Sequence, residues 1–429
     1  MAAQSQTYID LFNFDGVHGA NPSYPELLAQ GRDGDLYGTA PFGYYSEAGV
    51  VFRSTPGGAS RIVHGFRVSD GNHPYGGLTL GEDGEFYGTT ALGGSNEDGT
   101  VFKITSNGAL VTLYSFTAAD PQPQAPPIQA ADGYFYATSS TLAYKVTSQG
   151  IYTALGSIPG DSYGPLLQAT DENLYGTTWN GGTSQNGTVF KVEPSGAVTT
   201  VVDFDFAHGS APYGPLIQAS DGNFYGTTTA GGSNKQGVVF RLTPQRALTV
   251  MHSFPDPGYS NDGAAPQAGL VQASDGNLYG VTGGGGSLGY GVLFEITLAG
   301  NYSILYNFDL STGGNPGSTP TQHTNGTIYG MTEEGGADNQ GVLYSFNMGL
   351  PSFAKLLPAA GRVGRVVDIL GQGFTSTTSV SFNGTTAAFK VQSDTFLRAI
   401  VPSGATTGVV TITTQGGMLS SNQAFRVTQ

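Results

Sequence analysis

Histidine and tyrosine occur close together at two places in the sequence, and this pairing suits acid–base chemistry. His73 is followed by Tyr75, and His208 is followed by Tyr213. A polysaccharide lyase needs a base such as His or Tyr and a cation that neutralises the uronate carboxylate of its substrate. We therefore predict these four side chains as the catalytic residues of a lyase, with Lys235 as the best candidate for the cation.

Trp179, the single tryptophan of the chain, is the best candidate for a residue that stacks on a sugar. An exposed aromatic ring buries a flat apolar face against a sugar ring, while the sugar hydroxyls find polar partners. The alternative is a structural role in which Trp179 fills a gap between repeats. The predicted substrate-binding residues are aromatic, charged and imidazole side chains of neighbouring loops: Trp179, Tyr163, Asp161, Lys235, Glu97, Asp98 and His18.

Other catalytic schemes find less support among the residues. A glycosidase needs two carboxylates roughly 5 to 10 Å apart, and no acidic pair is recognisable by its spacing. The chain has no cysteine and only six histidines, none of them spaced like paired zinc ligands. We predict no metal ligand and no cofactor, although calcium bound by Asp side chains and backbone carbonyls is an open alternative.

These residues lie in a repeat that fills most of the chain. Each copy reads as four short strands of β-branched and aromatic residues separated by Gly-rich turns, which is the pattern of one β-propeller blade. The copies are about 50 residues apart, except for a short third one. Seven copies are marked by their equivalent tyrosines: Tyr37, Tyr87, Tyr136, Tyr175, Tyr225, Tyr279 and Tyr329.

The seventh copy lacks its fourth strand, and a matching segment lies at the other end of the chain. Residues 6–14 resemble residues 301–308, the fourth strand of the sixth copy. We therefore predict a seven-bladed β-propeller that is closed by the N-terminal strand, since closure removes open sheet edges.

The polar residues of the repeat also have a structural interpretation. Asp-Gly pairs such as Asp221-Gly222 favour tight hairpin turns, and Asp or His before Gly suits a rigid turn between repeats. Function is therefore better sought where the repeat is broken. The third copy, at residues 136–145, has lost its Gly-Gly loop, and we expect a gap there with Trp179 beside it.

The succession Tyr-Gly-Thr-Thr, Gly-Gly and Gly-Val-Phe resembles the bacterial GloVer-type tandem repeat. From about Pro351 the pattern changes to Gly-Gln-Gly-Phe, Val-Ser-Phe-Asn-Gly, Val-Pro and Val-Val-Thr-Ile, which is similar to an IPT/TIG immunoglobulin-like domain. We predict an all-β chain with the propeller at residues 1–348 and a β-sandwich at residues 349–429. The resemblance implies a secreted or surface-anchored bacterial protein with no agreed reaction, and an IPT/TIG domain usually acts as a spacer or docking module.

Composition argues against several partners. Acidic side chains outnumber basic ones by 31 to 16, the net charge is −15, and no segment clusters Lys or Arg. Nucleic acid and anionic membranes are therefore poor partners, and no apolar stretch is long enough for a membrane span. The small and polar residues after Met1 suggest a mature chain whose signal peptide was removed, so we expect a secreted or cell-surface protein, as a monomer.

Three functions are compatible with these features. The first is a secreted or cell-surface carbohydrate-interacting propeller that binds a polysaccharide or glycan without turnover. The second is a polysaccharide-cleaving enzyme, a lyase in preference to a glycosidase, which acts on the loop face of the second to fifth copies. The third is a structural surface or assembly protein. The fold does not choose between them.

Overall fold

A computed structural model describes residues 6–22, 28–44, 47–118, 122–256 and 261–428. Within these ranges the chain is all-β, with one short 3-10 helix at Phe374–Ser376 and no α-helix. The described part of the chain accordingly contains no helix with the length and apolar character of a membrane span. Residues 1–5, on which the predicted removal of a signal peptide depends, lie outside these ranges.

The described residues up to Asn347 form seven four-stranded antiparallel sheets, numbered 1 to 7 in chain order. The first strand is β1 (Thr7–Asn13). Sheet 1 contains β2 (Ala29–Gln30), β3 (Leu36–Ala40), β4 (Val50–Ser54) and β5 (Ser60–Gly65). Sheet 2 contains β6 (Thr79–Leu80), β7 (Phe86–Thr90), β8 (Thr100–Ile104) and β9 (Leu110–Ser115). Sheet 3 contains β10 (Ile128–Gln129), β11 (Phe135–Thr138), β12 (Leu142–Val146) and β13 (Tyr152–Ser157). Sheet 4 contains β14 (Leu167–Gln168), β15 (Leu174–Thr178), β16 (Thr188–Val192) and β17 (Val198–Asp203). Sheet 5 contains β18 (Ile217–Gln218), β19 (Phe224–Thr228), β20 (Val238–Leu242) and β21 (Leu248–Ser253).

Sheets 6 and 7 follow the same strand order, and two short strands outside them pair with each other. A separate small pair is formed by β22 (Gly263–Ala264) and β25 (Gly284–Gly285). Sheet 6 contains β23 (Val271–Gln272), β24 (Leu278–Thr282), β26 (Val292–Ile296) and β27 (Tyr302–Asn307), and sheet 7 contains β28 (Thr321–Gln322), β29 (Ile328–Thr332) and β30 (Val342–Asn347). The fourth strand of sheet 7 is β1, which pairs antiparallel with β30 from Thr7 opposite Asn347 to Asn13 opposite Val342.

The Tyr and Asp residues of the repeat form a hydrogen bond that fixes each turn. In six sheets the tyrosine hydroxyl donates to the carboxylate of the turn aspartate four residues earlier, at 2.6–2.8 Å: Tyr37 to Asp33, Tyr87 to Asp83, Tyr136 to Asp132, Tyr175 to Asp171, Tyr225 to Asp221 and Tyr279 to Asp275. In sheet 7 the amide of Asn325 donates to the Tyr329 hydroxyl instead, at 3.3 Å. Two of these tyrosines also stack on the next sheet: Tyr37 on Phe86 and Tyr87 on Phe135, with ring centroids 4.1 and 3.7 Å apart. The sequence pattern indicated the turns but not this second use of the aspartates.

A glutamine hydrogen bond joins neighbouring sheets at the same end. In each case a side-chain amide oxygen accepts from a backbone N–H of the preceding sheet at 2.8–3.1 Å: Gln129 from Glu82, Gln168 from Ala131, Gln218 from Thr170, Gln272 from Ser220, Gln322 from Ser274 and Gln30 from Thr324. The last of these bonds joins sheet 7 to sheet 1. Between sheets 1 and 2 the position holds Leu80, and there Arg32 donates to the carbonyls of Glu82 and Asp83 instead.

The C-terminal domain is made of two further sheets that share a core. One contains β31 (Lys355–Leu357), β33 (Val366–Leu370), β37 (Phe396–Ile400) and β36 (Phe389–Val391); the other contains β32 (Ala360–Gly361), β39 (Gly417–Val427), β38 (Gly408–Thr414), β34 (Thr377–Phe382) and β35 (Thr385–Thr386). Fully buried side chains from both sheets, such as Ile369, Phe382 and Phe425, pack between them. This is the expected arrangement of a small β-sandwich.

The sandwich docks on the end of the sheets that carries the Asp turns, which we call the turn end. Arg365 forms an ion pair with Glu82 at 2.7 Å, and Arg426 forms one with Glu172 at 2.6 Å. Leu370 and Phe396 of the sandwich share one buried core with residues of sheets 1 and 2. The loops that join second to third strands and that link successive sheets emerge at the opposite end, the loop end, because the strands are antiparallel.

Candidate functional site

A cavity of about 490 Å³ opens at the loop end. Its lining comes from the loops that enter sheets 2 to 5 and from two loops between second and third strands: His73, Tyr75, Gln122, Gln124, Tyr163, Tyr213, Ala91, Leu92 and Trp179. The volume lies within the range of ordinary small-molecule sites. Five of the residues predicted from the sequence as catalytic or substrate-binding therefore meet in one place.

The cavity lies where the third repeat is shortened. Strands β11 and β12 are joined by residues 139–141 alone, whereas β15 and β16 of sheet 4 are joined by residues 179–187. The missing loop leaves space between the loops of sheets 2 and 4, and Trp179 reaches it from sheet 4. The loss of the Gly-Gly loop in the third repeat indicated a gap with Trp179 beside it, and the cavity lies at that position.

Trp179 is held by its backbone and leaves its ring accessible. Its N–H donates to the carbonyl of Asp161 at 2.7 Å. The side-chain amide of Asn180 donates to the Asp161 carboxylate at 2.7 Å. In return, the backbone N–H of Asp161 donates to the side-chain oxygen of Asn180 at 2.8 Å. The tryptophan is 44% exposed. Asp161, predicted as a substrate-binding residue, is absent from the cavity lining and instead positions the Trp179 loop.

Two aromatic pairs form the walls of the cavity. The rings of Tyr163 and Tyr213 stack with centroids 4.8 Å apart and planes inclined by 13°. The rings of His73 and Tyr75 lie 5.7 Å apart, and Phe42 packs edge-on against His73 at 5.0 Å. Burial lowers the pKa of His73 below its usual value, because the charged imidazolium loses hydration there. The neutral form of the imidazole therefore predominates at pH 7.

Gln122 and Gln124 contribute the polar part of the lining, and sequence reasoning missed both. Among the described residues neither side-chain amide has a hydrogen-bond partner. Their positions were nevertheless readable from the repeat: Gln124 occupies the place held by Tyr75, Tyr163 and Tyr213 in the neighbouring copies, and Gln122 lies two residues earlier, as His73 does. The cavity therefore uses one pair of repeat positions in successive copies.

The same comparison shows that His208 occupies a different repeat position from His73. His208 lies four residues before Pro212, as Asp70 lies four before Pro74, so its counterpart is Asp70 and not His73. Its Nδ1 is 2.9 Å from the Asp205 carboxylate within its own turn, and it does not line the cavity. Of the predicted pair His208 and Tyr213, only Tyr213 lines this cavity.

Four other predicted binding residues also lie outside the cavity lining. His18 has the same turn position as His208 and contacts Asp15 through Nδ1 at 2.7 Å. Glu97 and Lys235 adopt positive φ angles of 67° and 66° in the loops of sheets 2 and 5, where they form tight turns. Asp98 forms a β-bridge with Gly93 in the first of these loops. Within the described ranges no three His, Asp or Glu side chains converge as a metal site would need.

The repeat and the C-terminal domain match known family models. Residues 1–144 and 139–344 match the Gloeobacter/Verrucomicrobia repeat, and residues 351–427 match the IPT/TIG domain, so both predicted resemblances are confirmed. No curated protein matches the sequence.

Two solved structures illustrate what the fold is similar to. A virginiamycin B lyase from Staphylococcus aureus is 15% identical with a TM-score of 0.56, and the alignment covers 80% of this chain and 99% of the lyase. A fungal alcohol oxidase of the AA5 family, in complex with copper, is 14% identical with a TM-score of 0.54, and the alignment covers 99% of both chains. At these identities the likeness shows a β-propeller-like fold and nothing about the reaction. Because the repeat model matches more than half of the chain, the protein belongs to the Gloeobacter/Verrucomicrobia repeat family.

Proposed function

We propose that this protein is a secreted or cell-surface carbohydrate-binding β-propeller that takes a saccharide at its loop-end cavity without turnover. The observation that carries the proposal is the composition of the lining, which combines aromatic rings with two carboxamides that have no hydrogen-bond partner among the described residues. Aromatic faces cover the apolar faces of sugar rings. Carboxamides both donate and accept hydrogen bonds, as pairs of sugar hydroxyls require.

We further infer that the seven sheets are the blades of a closed ring. Two contacts between the ends of the chain support this inference. Strand β1 completes sheet 7 by pairing with β30, and the side chain of Gln30 in sheet 1 exchanges hydrogen bonds with Thr324 beside sheet 7 at 2.8 and 3.1 Å. The second contact repeats the bond found at five other junctions, so the step from sheet 7 to sheet 1 is built like the others.

The position of the C-terminal sandwich fits a binding role. Its contacts with Arg32, Glu82, Glu172 and Thr324 all lie at the turn end. A ligand would therefore approach from the loop end, while the sandwich supports the opposite face. In this proposal the sandwich is the base that presents the cavity away from a surface, and the protein acts as a monomer.

Cleavage is the second candidate, and one observation favours it. His73, whose pKa is lowered by burial, has its ring beside that of Tyr75, and both are suitable groups for acid–base catalysis. Binding without turnover ranks first because neither a carboxylate pair nor a cation lines the described cavity. If the protein is a lyase, uronate polymers acquire ultraviolet absorbance on incubation with it, and His73→Ala abolishes the increase.

A glycan array probed with the intact protein, followed by calorimetry on the glycans retained, tests the proposal. The expected result is saturable binding of at least one saccharide with a one-to-one stoichiometry. An array without any retained glycan would overturn it, and self-assembly on a sizing column under the same conditions would favour a structural surface protein instead.

A further inference from the structure

We propose that the saccharide taken by the loop-end cavity is uncharged, and that the site discriminates against uronic acids and other anionic sugars. This inference rests on the proposed binding function and specifies its ligand class. It reverses the substrate expected from the sequence for a lyase, in which Lys235 was to pair with a uronate carboxylate.

No cation is available in the cavity. The chain contains 16 Lys and Arg residues, all of them within the described ranges, and none lines the cavity. A sugar carboxylate bound there would lose part of its hydration without gaining an ion pair, which is unfavourable. Sites that recognise carboxylates usually supply a guanidinium or an ammonium group.

The single imidazole of the lining does not replace a cation. His73 lies against the rings of Phe42 and Tyr75, and no carboxylate partner for its ring is present among the described residues. Burial lowers its pKa below the usual value, so the neutral form predominates at pH 7. In this neutral form the imidazole can donate or accept a hydrogen bond but offers a carboxylate no positive charge.

The charge of the whole chain acts in the same direction. The net charge of −15 repels a polyanionic glycan over a distance of about 10 Å at ordinary ionic strength. Neutral saccharides are unaffected by this field. Electrostatic repulsion therefore slows the approach of acidic polysaccharides before the cavity itself discriminates against them.

The polar groups that are present suit hydroxyls. The carboxamides of Gln122 and Gln124 reach the cavity from one loop, while Trp179 lines it from sheet 4. Each carboxamide offers two donors and an acceptor, which matches neighbouring hydroxyls on a hexose ring. The pairing of uncharged polar groups with aromatic rings is the basis on which we assign a neutral ligand.

Trp179 is the only tryptophan and lines the cavity, so its fluorescence reports on binding without a label. The test titrates the intact protein with pairs of oligosaccharides that share length and linkage but differ in charge: mannose with mannuronate oligomers, and glucose with glucuronate oligomers. Calorimetry on the same pairs checks the affinities independently. We expect the neutral member of the bound pair to bind at least about tenfold more tightly, since an unpaired carboxylate is costly to desolvate.

Two additional measurements sharpen the result. Gln124→Lys adds a cation to the lining and is expected to raise uronate affinity about tenfold, whereas Gln124→Met, a neutral control, should not. The second measurement uses only the wild-type protein. Its affinity for the neutral sugar should be independent of ionic strength.

The outcomes separate the two proposals. Preferential or equal binding of the uronate member overturns the inference of a neutral ligand and leaves carbohydrate binding intact. Absence of binding by both members of every pair, together with a blank glycan array, overturns the proposed function and the inference with it.

Discussion

The backbone N–H of Trp179 donates a 2.7 Å hydrogen bond to the carbonyl of Asp161. This bond joins a loop within sheet 4 to the segment that enters the same sheet, and it fixes where the indole lies. The amide of Asn180 reinforces it by bonding to the Asp161 carboxylate at 2.7 Å. The most exposed aromatic ring of the cavity is thus oriented by a polar residue that does not line the cavity itself.

Asp161→Ala should weaken saccharide binding about fivefold to tenfold, because the loss of one charge-assisted hydrogen bond costs about 1 kcal/mol and loosens the Trp179 loop. Asp161→Asn keeps an acceptor for Asn180 and should restore most of the affinity. Calorimetry on both variants decides between a positioning role and a direct contact with sugar. Equal losses in the two variants would contradict the positioning role.

Tyr213→Ala should reduce saccharide affinity at least about tenfold, since Tyr213 stacks on Tyr163 within the cavity wall. His208→Ala should leave the affinity unchanged, because His208 lies outside the lining and bonds to Asp205. The two variants come from one loop and are measured by the same fluorescence titration. A large loss with His208→Ala would instead support the functional role that the sequence predicts for His208.

Tyr8→Ala should destabilise the seven-sheet domain by about 3 kcal/mol. The Tyr8 ring stacks on Tyr306 of sheet 6 at 4.1 Å, and its hydroxyl donates to the carbonyl of Thr312 at 2.7 Å. Ile9→Ala, on the exposed side of the same strand, is the matched control and should change the free energy of unfolding by less than about 1 kcal/mol. Similar guanidinium unfolding curves for the two variants would argue against closure of the ring by β1.

His323 should make the protein less stable as the pH falls. Its Nε2 donates to the carbonyl of Gly34 at 2.8 Å and its Nδ1 accepts from Asn325 N–H at 3.2 Å, so the folded protein needs the neutral imidazole. Burial lowers the pKa of His323. The two hydrogen bonds and the negative charge of Asp35 oppose this shift, whereas the positive charge of Lys355 adds to it.

The unfolded chain therefore binds the proton more readily than the folded protein does. Stability should be constant with respect to His323 above about pH 6.5 and should fall below it, until the lowered pKa of the folded state is reached. His323→Gln should reduce the difference in Tm between pH 7 and pH 5. An unchanged difference would contradict this assignment.

The sequence was sufficient for the repeat because its turns and packing residues are local. The Tyr and Asp residues of each copy lie four positions apart and bond to each other, so the pattern that indicates a turn also stabilises it. The shortened third copy similarly predicted where space would open beside Trp179.

The residues that converge on the cavity were harder to predict, because adjacent positions in a loop face different directions. His73 and His208 looked equivalent by residue type, although they occupy different positions relative to the following proline. Gln122 and Gln124 carried no chemical signal of their own. Their alignment with His73 and Tyr75 in the repeat identifies them as lining residues. That alignment becomes useful only after the structure has shown that His73 and Tyr75 line the cavity.

Calorimetric titration of the wild-type protein and Trp179→Ala with a saccharide retained on the glycan array tests the loop-end cavity most directly as the saccharide site. Tyr290→Ala is the matched control, since Tyr290 is an exposed aromatic residue of sheet 6 outside the lining. We predict that Trp179→Ala loses at least about tenfold in affinity while Tyr290→Ala binds like the wild-type protein. Undiminished binding by Trp179→Ala would contradict the assignment of the loop-end cavity as the saccharide site.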